Sequence, residues 1–175
     1  MLEQYNWLLD QLAEGHNTDI VFLDFSKAFN RVDNSVLLRK LSRIGIGGSP
    51  LNWFRAFLAG RNQKVRIGSQ ISESQKVRSG VPQGSVLGPL MFLVYISDLG
   101  EKLDFTKIYK YVDDTKCISS ISEMDDVDKF KGDLEKVYNW AEPNCMAWNS
   151  IKFHLLRIGN NENLKIETSI FGPKN

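Results

Sequence analysis

A chain of 175 residues with 42% hydrophobic content can bury one core of ordinary domain size. Its 22 Lys and Arg nearly balance 21 Asp and Glu, so no overall field announces a polyanionic partner and any contact with nucleic acid has to be local. Two cysteines, Cys117 and Cys145, beside His16 and His154, exclude a disulfide framework and a zinc-ligand spacing; the absence of an apolar run near 18 residues and of a basic-then-apolar leader excludes a bilayer span and a signal peptide, so an intracellular protein, nuclear or cytoplasmic, is expected.

In chain order, Tyr5, Leu8, Leu9 and Leu12 recur at helical spacing, predicting an amphipathic helix over 1–14 that Gly15 and Asn17 end. The run DIVFLDF from Asp19 is β-branched and aromatic, which predicts a buried strand ending near Asp24, and SKAF after it turns helical. Asp33, Asn34 and Ser35 are good N-caps for VLLRKLSRI, where Leu37, Leu41 and Ile44 share a face and Gly45 stops the helix. Ser49-Pro50 opens a second helix over about 51–58, with Leu51, Phe54 and Leu58 on one side. Between 63 and 78 the pattern alternates, with Val65 and Ile67 against Lys64 and Arg66, and Gly68-Ser69 supplies a turn, so a basic two-stranded ribbon is expected.

SGVPQGSVLGPLMFLVYISDL, from Ser79, begins with turn chemistry and continues apolar on every side, as a core-enclosed helix would. KIYKYV, then Asp113 and Asp114, then TKCISSI read as strand, tight turn and strand, with both carboxylates at the tip. Met124 to Trp140 is a helix with Val127, Phe130, Leu134 and Val137 inward and Asp125, Asp126 and Asp128 near its positive end; Pro143 breaks it. Two short strands follow, FHLLRI and LKIET, around a polar NNEN turn. With no repeat or linker, the expectation is one α+β domain: an antiparallel sheet with helices on one face.

The chemistry concentrates in the carboxylates. Adjacent aspartates repel and need a cation or hydrogen-bond donors when partly buried. Asp113 and Asp114 at a hairpin tip, beside Asp24 at a strand end, would make an all-oxygen site of the kind magnesium takes. The rival reading is a solvated acidic turn, with Asp24 capping the helix after it. GIGG, Gly45 to Gly48, lacks the Lys-Ser/Thr ending of a phosphate loop and is an interhelical turn.

FLDFSKAFNRVD, SGVPQGSVLGPLMF, YVDDTK and WNSIKFHLLRIG, in this order and spacing from about Asp19 to Gly159, resemble the successive palm motifs of reverse transcriptases from non-LTR retrotransposons of the jockey and chicken-repeat type. The resemblance implies a right-hand polymerase palm with incomplete fingers and no thumb: 19–30 and 80–159 mainly palm, 31–79 a fingers-side insertion, all within one partial domain over 1–175. It implies RNA-directed DNA polymerisation, with nucleotidyl transfer to a primer 3′-hydroxyl from deoxynucleoside triphosphates on an RNA template, assisted by two Mg2+ ions, or Mn2+ in their place. A remnant that binds nucleic acid without catalysis is the alternative; an RNA-templated RNA polymerase shares the paired aspartates but is disfavoured by Phe29 and SGVPQGSVLGP.

Position by position, the resemblance makes Asp24, Asp113 and Asp114 metal ligands, with Phe25 adding its backbone carbonyl. Lys27 and Ala28 meet the triphosphate through backbone N–H groups, and Phe29 lies beneath the incoming sugar, where it would clash with a 2′-hydroxyl; otherwise it is a core aromatic. Gln83 and Gly84 belong to the turn that approaches the nascent base pair, or to an ordinary helix-opening turn. Tyr111 lies near the primer terminus, and Lys152 donates a proton to departing pyrophosphate, unless it is a solvated surface lysine. Arg61, Lys64, Arg66, Lys76 and Arg78 touch template or primer phosphates, or form a solvated hairpin face. Asn30 stands where the family usually carries aspartate, and Trp148 where a smaller aromatic is common.

Overall fold

The computed structural model describes residues 2–159, which form two compact units. The second predicted strand after Pro143, LKIET, lies outside the described residues.

The first unit, 2–26, 99–143 and 147–159 among the described residues, is built on a four-stranded antiparallel sheet. Its strands are β1 (Asn17–Leu23), β6 (Lys107–Tyr111), β7 (Asp114–Ile121) and β8 (His154–Ile158), in spatial order β6-β7-β1-β8. β1 is central, paired with β7 from Asn17↔Ile121 to Leu23↔Thr115 and with β8 from Thr18↔Ile158 to Phe22↔His154. Burial of neighbouring Ile20 and Val21 explains its unbroken apolar run, since both sheet faces are covered there. Helix α6 (Met124–Trp140) lies against β7 and turns Val127, Phe130, Leu134 and Val137 into the core, as its periodicity predicts. A reciprocal capping box between Glu123 and Asp126 opens it. Helix α1 (Leu2–Ala13) packs at β1 and leaves Tyr5 and Leu9 exposed.

Two polar devices fix this unit. Asp19, fully buried, faces Arg157 across the β1–β8 register, and the guanidinium grips both carboxylate oxygens. Asp133, on α6, accepts the backbone N–H groups of Phe105 and Thr106 at 2.8 Å each, and Lys136 at 2.9 Å, anchoring the approach to β6.

The second unit, 27–98 with 144–146, is mainly helical. It holds α2 (Ala28–Arg31), α3 (Asn34–Arg43), α4 (Gly48–Leu58) and α5 (Leu87–Tyr95), with short strands β2 (Asn62–Gln63), β3 (Arg66–Ile67), β4 (Gln70–Ile71) and β5 (Gln75–Lys76). Asp33 caps α3 by accepting from Ser35 and Val36 at 2.9 Å, and Val36, Leu37, Leu41, Leu58, Met91, Phe92 and Tyr95 form the core. The ribbon expected over 63–78 is present as β2–β5 and β3–β4 around the Gly68-Ser69 turn, yet Val65, Ile67 and Ile71 are all exposed, so its alternation does not mark a buried face.

Two expectations are corrected. Helix α4 begins at Gly48 rather than Leu51, because extended Gly47 serves as the N-cap and Pro50, needing no N–H donor, sits inside the first turn. Helix α5 is not enclosed: Leu90 is 54% and Leu93 44% exposed, while Met91, Phe92 and Tyr95 face the core. An all-apolar sequence carries no directional signal from which the open side could be read.

Candidate active site

Asp24 follows β1 directly, and its surroundings are fixed by the segment before β8. The Asp24 carbonyl accepts the Asn149 N–H at 2.8 Å, Ser26 N–H donates to the Ala147 carbonyl at 2.8 Å, and Phe25 bridges to Trp148. Phe25 is buried with its ring stacked on Trp148 at 4.2 Å, and Trp140 lies 6.0 Å away, so this aromatic packing sets the level at which Asp24 emerges. The larger aromatic at position 148 thus has a partner of matching size.

The paired aspartates arrive from the other side. Tyr111 pairs with Asp114, leaving Val112 and Asp113 as a two-residue turn. The expected placement therefore needs refinement: Asp113 is at the tip, whereas Asp114 is the first residue of β7. Tight hairpin turns require positive φ at their first central position, normally from glycine or asparagine. Here Val112 adopts φ 57°, a conformation that costs a β-branched residue about 1–3 kcal/mol. The remaining fold holds the turn against that cost.

Extending the β1–β7 register by one residue beyond Leu23↔Thr115 sets Asp24 opposite Asp114. Opposed residues of antiparallel strands share a face; Leu23 and Thr115 are buried together, and Asp24 and Asp114 point to the other side. Lys152 joins them from a short 3-10 turn (Ser150–Lys152) whose N-cap is Asn149, and its ammonium lies 3.0 Å from the Asp24 carboxylate. Asn149 Nδ2 reaches the same oxygen at 3.4 Å. Hydrogen bonding to Asp24, then its charge and those of Asp113 and Asp114, raises the Lys152 pKa above the ordinary lysine value, so the side chain stays cationic at neutral pH. Phe22, Asp24, Asp114, Lys116, Lys152 and His154 border a cavity of about 540 Å³. Tyr111 is 76% exposed beside the hairpin tip.

A hard divalent cation needs oxygen ligands, and the Asp24, Asp113 and Asp114 side chains with the Phe25 carbonyl are of that type. The ammonium of Lys152 already stands against Asp24 as a positive charge, which marks this carboxylate as a cation-accepting group. Among the described residues no three His, Cys, Asp or Glu side chains are gathered as a finished metal-holding group. The donor chemistry fits, and an ion held there would replace Lys152 at Asp24.

The remaining predicted residues belong to the second unit. Lys27 is exposed with φ 54°, Ala28 is buried and Phe29 stacks on Phe92 at 4.8 Å. Gln83 is exposed and donates to Asn30 Oδ1 at 2.9 Å, giving Asn30 a definite task as the partner that orients Gln83; Gly84 has φ 80°. Gly80 has a steric requirement: at φ 88°, a Cβ would lie 2.9 Å from the Phe29 carbonyl oxygen. Lys64, Arg66, Lys76 and Arg78 are exposed, whereas Arg61 is committed to the backbone carbonyls of Leu58 and Gly80 and fastens the ribbon to the end of α4.

Sequence reasoning missed Asn149 and His154. Asn149 had a readable signal, an N-cap residue before Ser150-Ile151-Lys152, but its hold on Asp24 spans 125 positions in sequence and is tertiary.

An antiparallel sheet that carries paired carboxylates on a hairpin beside a third at a neighbouring strand end is the palm-like arrangement of a nucleotidyl polymerase. Residues 4–166 match the family model described as reverse transcriptase (RNA-dependent DNA polymerase), and the chain belongs to that family. Among its relatives is the probable RNA-directed DNA polymerase from transposon X-element of Drosophila melanogaster, 29% identical over 161 residues, covering 86% of this chain and 18% of the relative. The RNA-directed DNA polymerase from mobile element jockey of the same organism is 29% identical over 155 residues, covering 82% and 16%. The chain thus spans less than a fifth of the length of these relatives. Telomerase from Candida tropicalis, solved with a fragment of telomeric RNA, superposes with a TM-score of 0.66 over 90% of this chain and 29% of its own, at 13% identity, which is a likeness of fold. No helix among the described residues is long and apolar enough to cross a membrane.

Proposed function

We propose that this chain is the catalytic core segment of a retroelement RNA-directed DNA polymerase, joining deoxynucleotides to a primer 3′-hydroxyl on an RNA template. The observation that supports this reading is the β1–β7 register, whose last pair, Leu23↔Thr115, is followed by Asp24 on β1's side and preceded by Asp114, next to the turn residue Asp113, on the other. In this reading 19–30 and 80–159 serve mainly as palm, and 31–79 as a fingers-side insertion.

Asp24, Asp113, Asp114 and the Phe25 carbonyl would hold two magnesium ions. When bound, these supply charge stabilisation at the attacking and leaving oxygens of phosphoryl transfer. The chain's own groups do the rest. The Phe25–Trp148 stack fixes the height of Asp24, and the strained Val112 turn fixes Asp113. Lys152, protonated beside Asp24, would give its proton to the departing pyrophosphate oxygen. Phe29, backed by Phe92, would exclude a 2′-hydroxyl beneath the sugar; Lys27, Ala28, Gln83 and Gly84 would border the nucleotide, Tyr111 the primer end. Lys64, Arg66, Lys76 and Arg78 would meet backbone phosphates.

The test is incorporation of a labelled deoxynucleotide by the purified chain on a primed RNA template with magnesium. Asp113→Asn should lower incorporation by on the order of 10³-fold, since metal-borne charge stabilisation is worth several kcal/mol and each 1.36 kcal/mol is tenfold. Inertness of the intact chain would reject catalysis by this segment alone. A second reading, a nucleic-acid-binding remnant, is favoured by the lack of a finished three-ligand group among the described residues. It calls for duplex binding that Asp24→Asn leaves unchanged, without incorporation.

A further inference from the structure

The near-neutral total charge conceals a segregation. The helical unit, 27–98 with 144–146, carries eleven Lys and Arg against three Asp and Glu, whereas the rest of the chain carries eleven against eighteen. Of the three acids, Asp33 caps α3 and Asp98 is held by Lys40 at 2.6 Å, leaving Glu73. Residues 34–72 contain no carboxylate side chain at all.

Within this stretch α4 displays aromatic rings. Trp53 is 52% exposed, stacked on Phe57 at 5.2 Å with 12° between planes, and meets Phe54 edge-on at 5.2 Å. The indole is thus braced by Phe57 in a near-parallel stack and by Phe54 at a near-right angle, and about half of the residue remains open to solvent. The basic ribbon begins close by: Arg61 ties it to the Leu58 carbonyl, five residues or about 7.5 Å of helix axis beyond Trp53. A flat ring buttressed by two phenyl groups, on a helix that runs toward the cationic ribbon in a unit where cations outnumber acids eleven to three, suits a ligand that is both planar and anionic. A positively charged track with an aromatic on which bases stack is how unpaired nucleic acid is held without regard to sequence.

We propose that Trp53 is a stacking platform for an unpaired base of a nucleic-acid strand whose phosphates run along Lys64 and Arg66. This rests on the polymerase reading above and adds to it a contact to bases, where the ribbon cations alone would give only contacts to phosphates. The fit comes from charge: a unit with eleven cations to three acids favours an anionic occupant over an apolar protein partner.

The test measures binding of the full chain to a fluorescein-labelled single-stranded 20-mer of RNA and to a 20-mer of the same backbone lacking bases. Trp53→Ala should weaken the first about 5- to 150-fold, the range found for base–aromatic stacking, and leave the second unchanged. Trp53→Phe should retain most of the affinity for the first. Arg66→Gln should instead weaken both strands and reduce the salt slope of log K by about one. Equal losses on the two strands with Trp53→Ala, or no loss on either, would overturn the platform while leaving nucleic-acid binding intact. Failure of the unaltered chain to bind either strand would remove the polymerase reading with it.

Discussion

Arg157→Met removes the guanidinium that faces Asp19 across β1 and β8 while keeping much of the side chain's apolar bulk. The Asp19 side chain is wholly buried and that of Arg157 is 19% exposed, so the stranded carboxylate cannot turn to water without opening the sheet. Breaking a buried pair from one side costs about 3–5 kcal/mol, a large part of the 5–15 kcal/mol that a domain typically has. The double variant Asp19→Leu/Arg157→Met leaves no buried charge and should recover most of that loss, giving a coupling of at least about 2 kcal/mol in the cycle. Urea unfolding followed by circular dichroism at pH 7 measures all four species. A local consequence follows as well, because β8 begins two residues after Lys152: amide exchange across His154–Ile158 should accelerate in Arg157→Met before global unfolding. A single-variant loss below about 1 kcal/mol, or a double variant as unstable as the single, would refute the claim that this pair holds β8 to the sheet.

The remaining tests are independent of it. Burial, with a smaller contribution from the charge of Asp133, pushes the Cys117 thiol up to about 12, so a thiol reagent at pH 8 should label exposed Cys145 quickly and Cys117 only on unfolding. Burial alone would raise the Asp133 pKa, but Lys136 and the N–H groups of Phe105, Thr106 and Asp104 outweigh it and lower the folded value. Its stabilisation is therefore present above the unfolded carboxylate pKa of about 3.9 and lost as pH falls through the lower folded value. Asp133→Asn should cost roughly 1–3 kcal/mol at pH 7 and flatten the stability profile below about pH 4, as read by urea titrations at a series of pH values. Gly80→Ala should destabilise by about 2–4 kcal/mol from its clash with the Phe29 carbonyl and its positive φ, whereas Gly132→Ala, within α6 and with open space around it, should stabilise by about 0.5–1 kcal/mol in thermal melts.

The two aspartates of YVDDTK were visible in sequence because neighbouring charges between extended runs are chemically conspicuous, and the four motifs together pointed to the polymerase family. Helix α6 was legible to its ends, since one inward face and acidic residues in the first turn are local properties. The open side of α5 was not legible: whether Leu90 and Leu93 meet core or solvent depends on what packs there, and an apolar run is the same string in either case. The charge imbalance was hidden for a similar reason. Eleven cations and three acids belong together only once the chain is divided by its contacts, and a whole-chain total averages them away.

What the sequence by itself determined was the set of chemical groups and the local elements that carry them: Asp24 after a strand, Asp113 and Asp114 at a hairpin, and Lys152 in the motif before the last described strand. What only the tertiary structure decided was which of them meet. The register of β1 with β7, the Asn149 contacts to Asp24 and the stack of Phe25 on Trp148 join residues about 90 to 125 positions apart. Such contacts follow from how strands pair and how rings pack, and neither is encoded in any short stretch of chain.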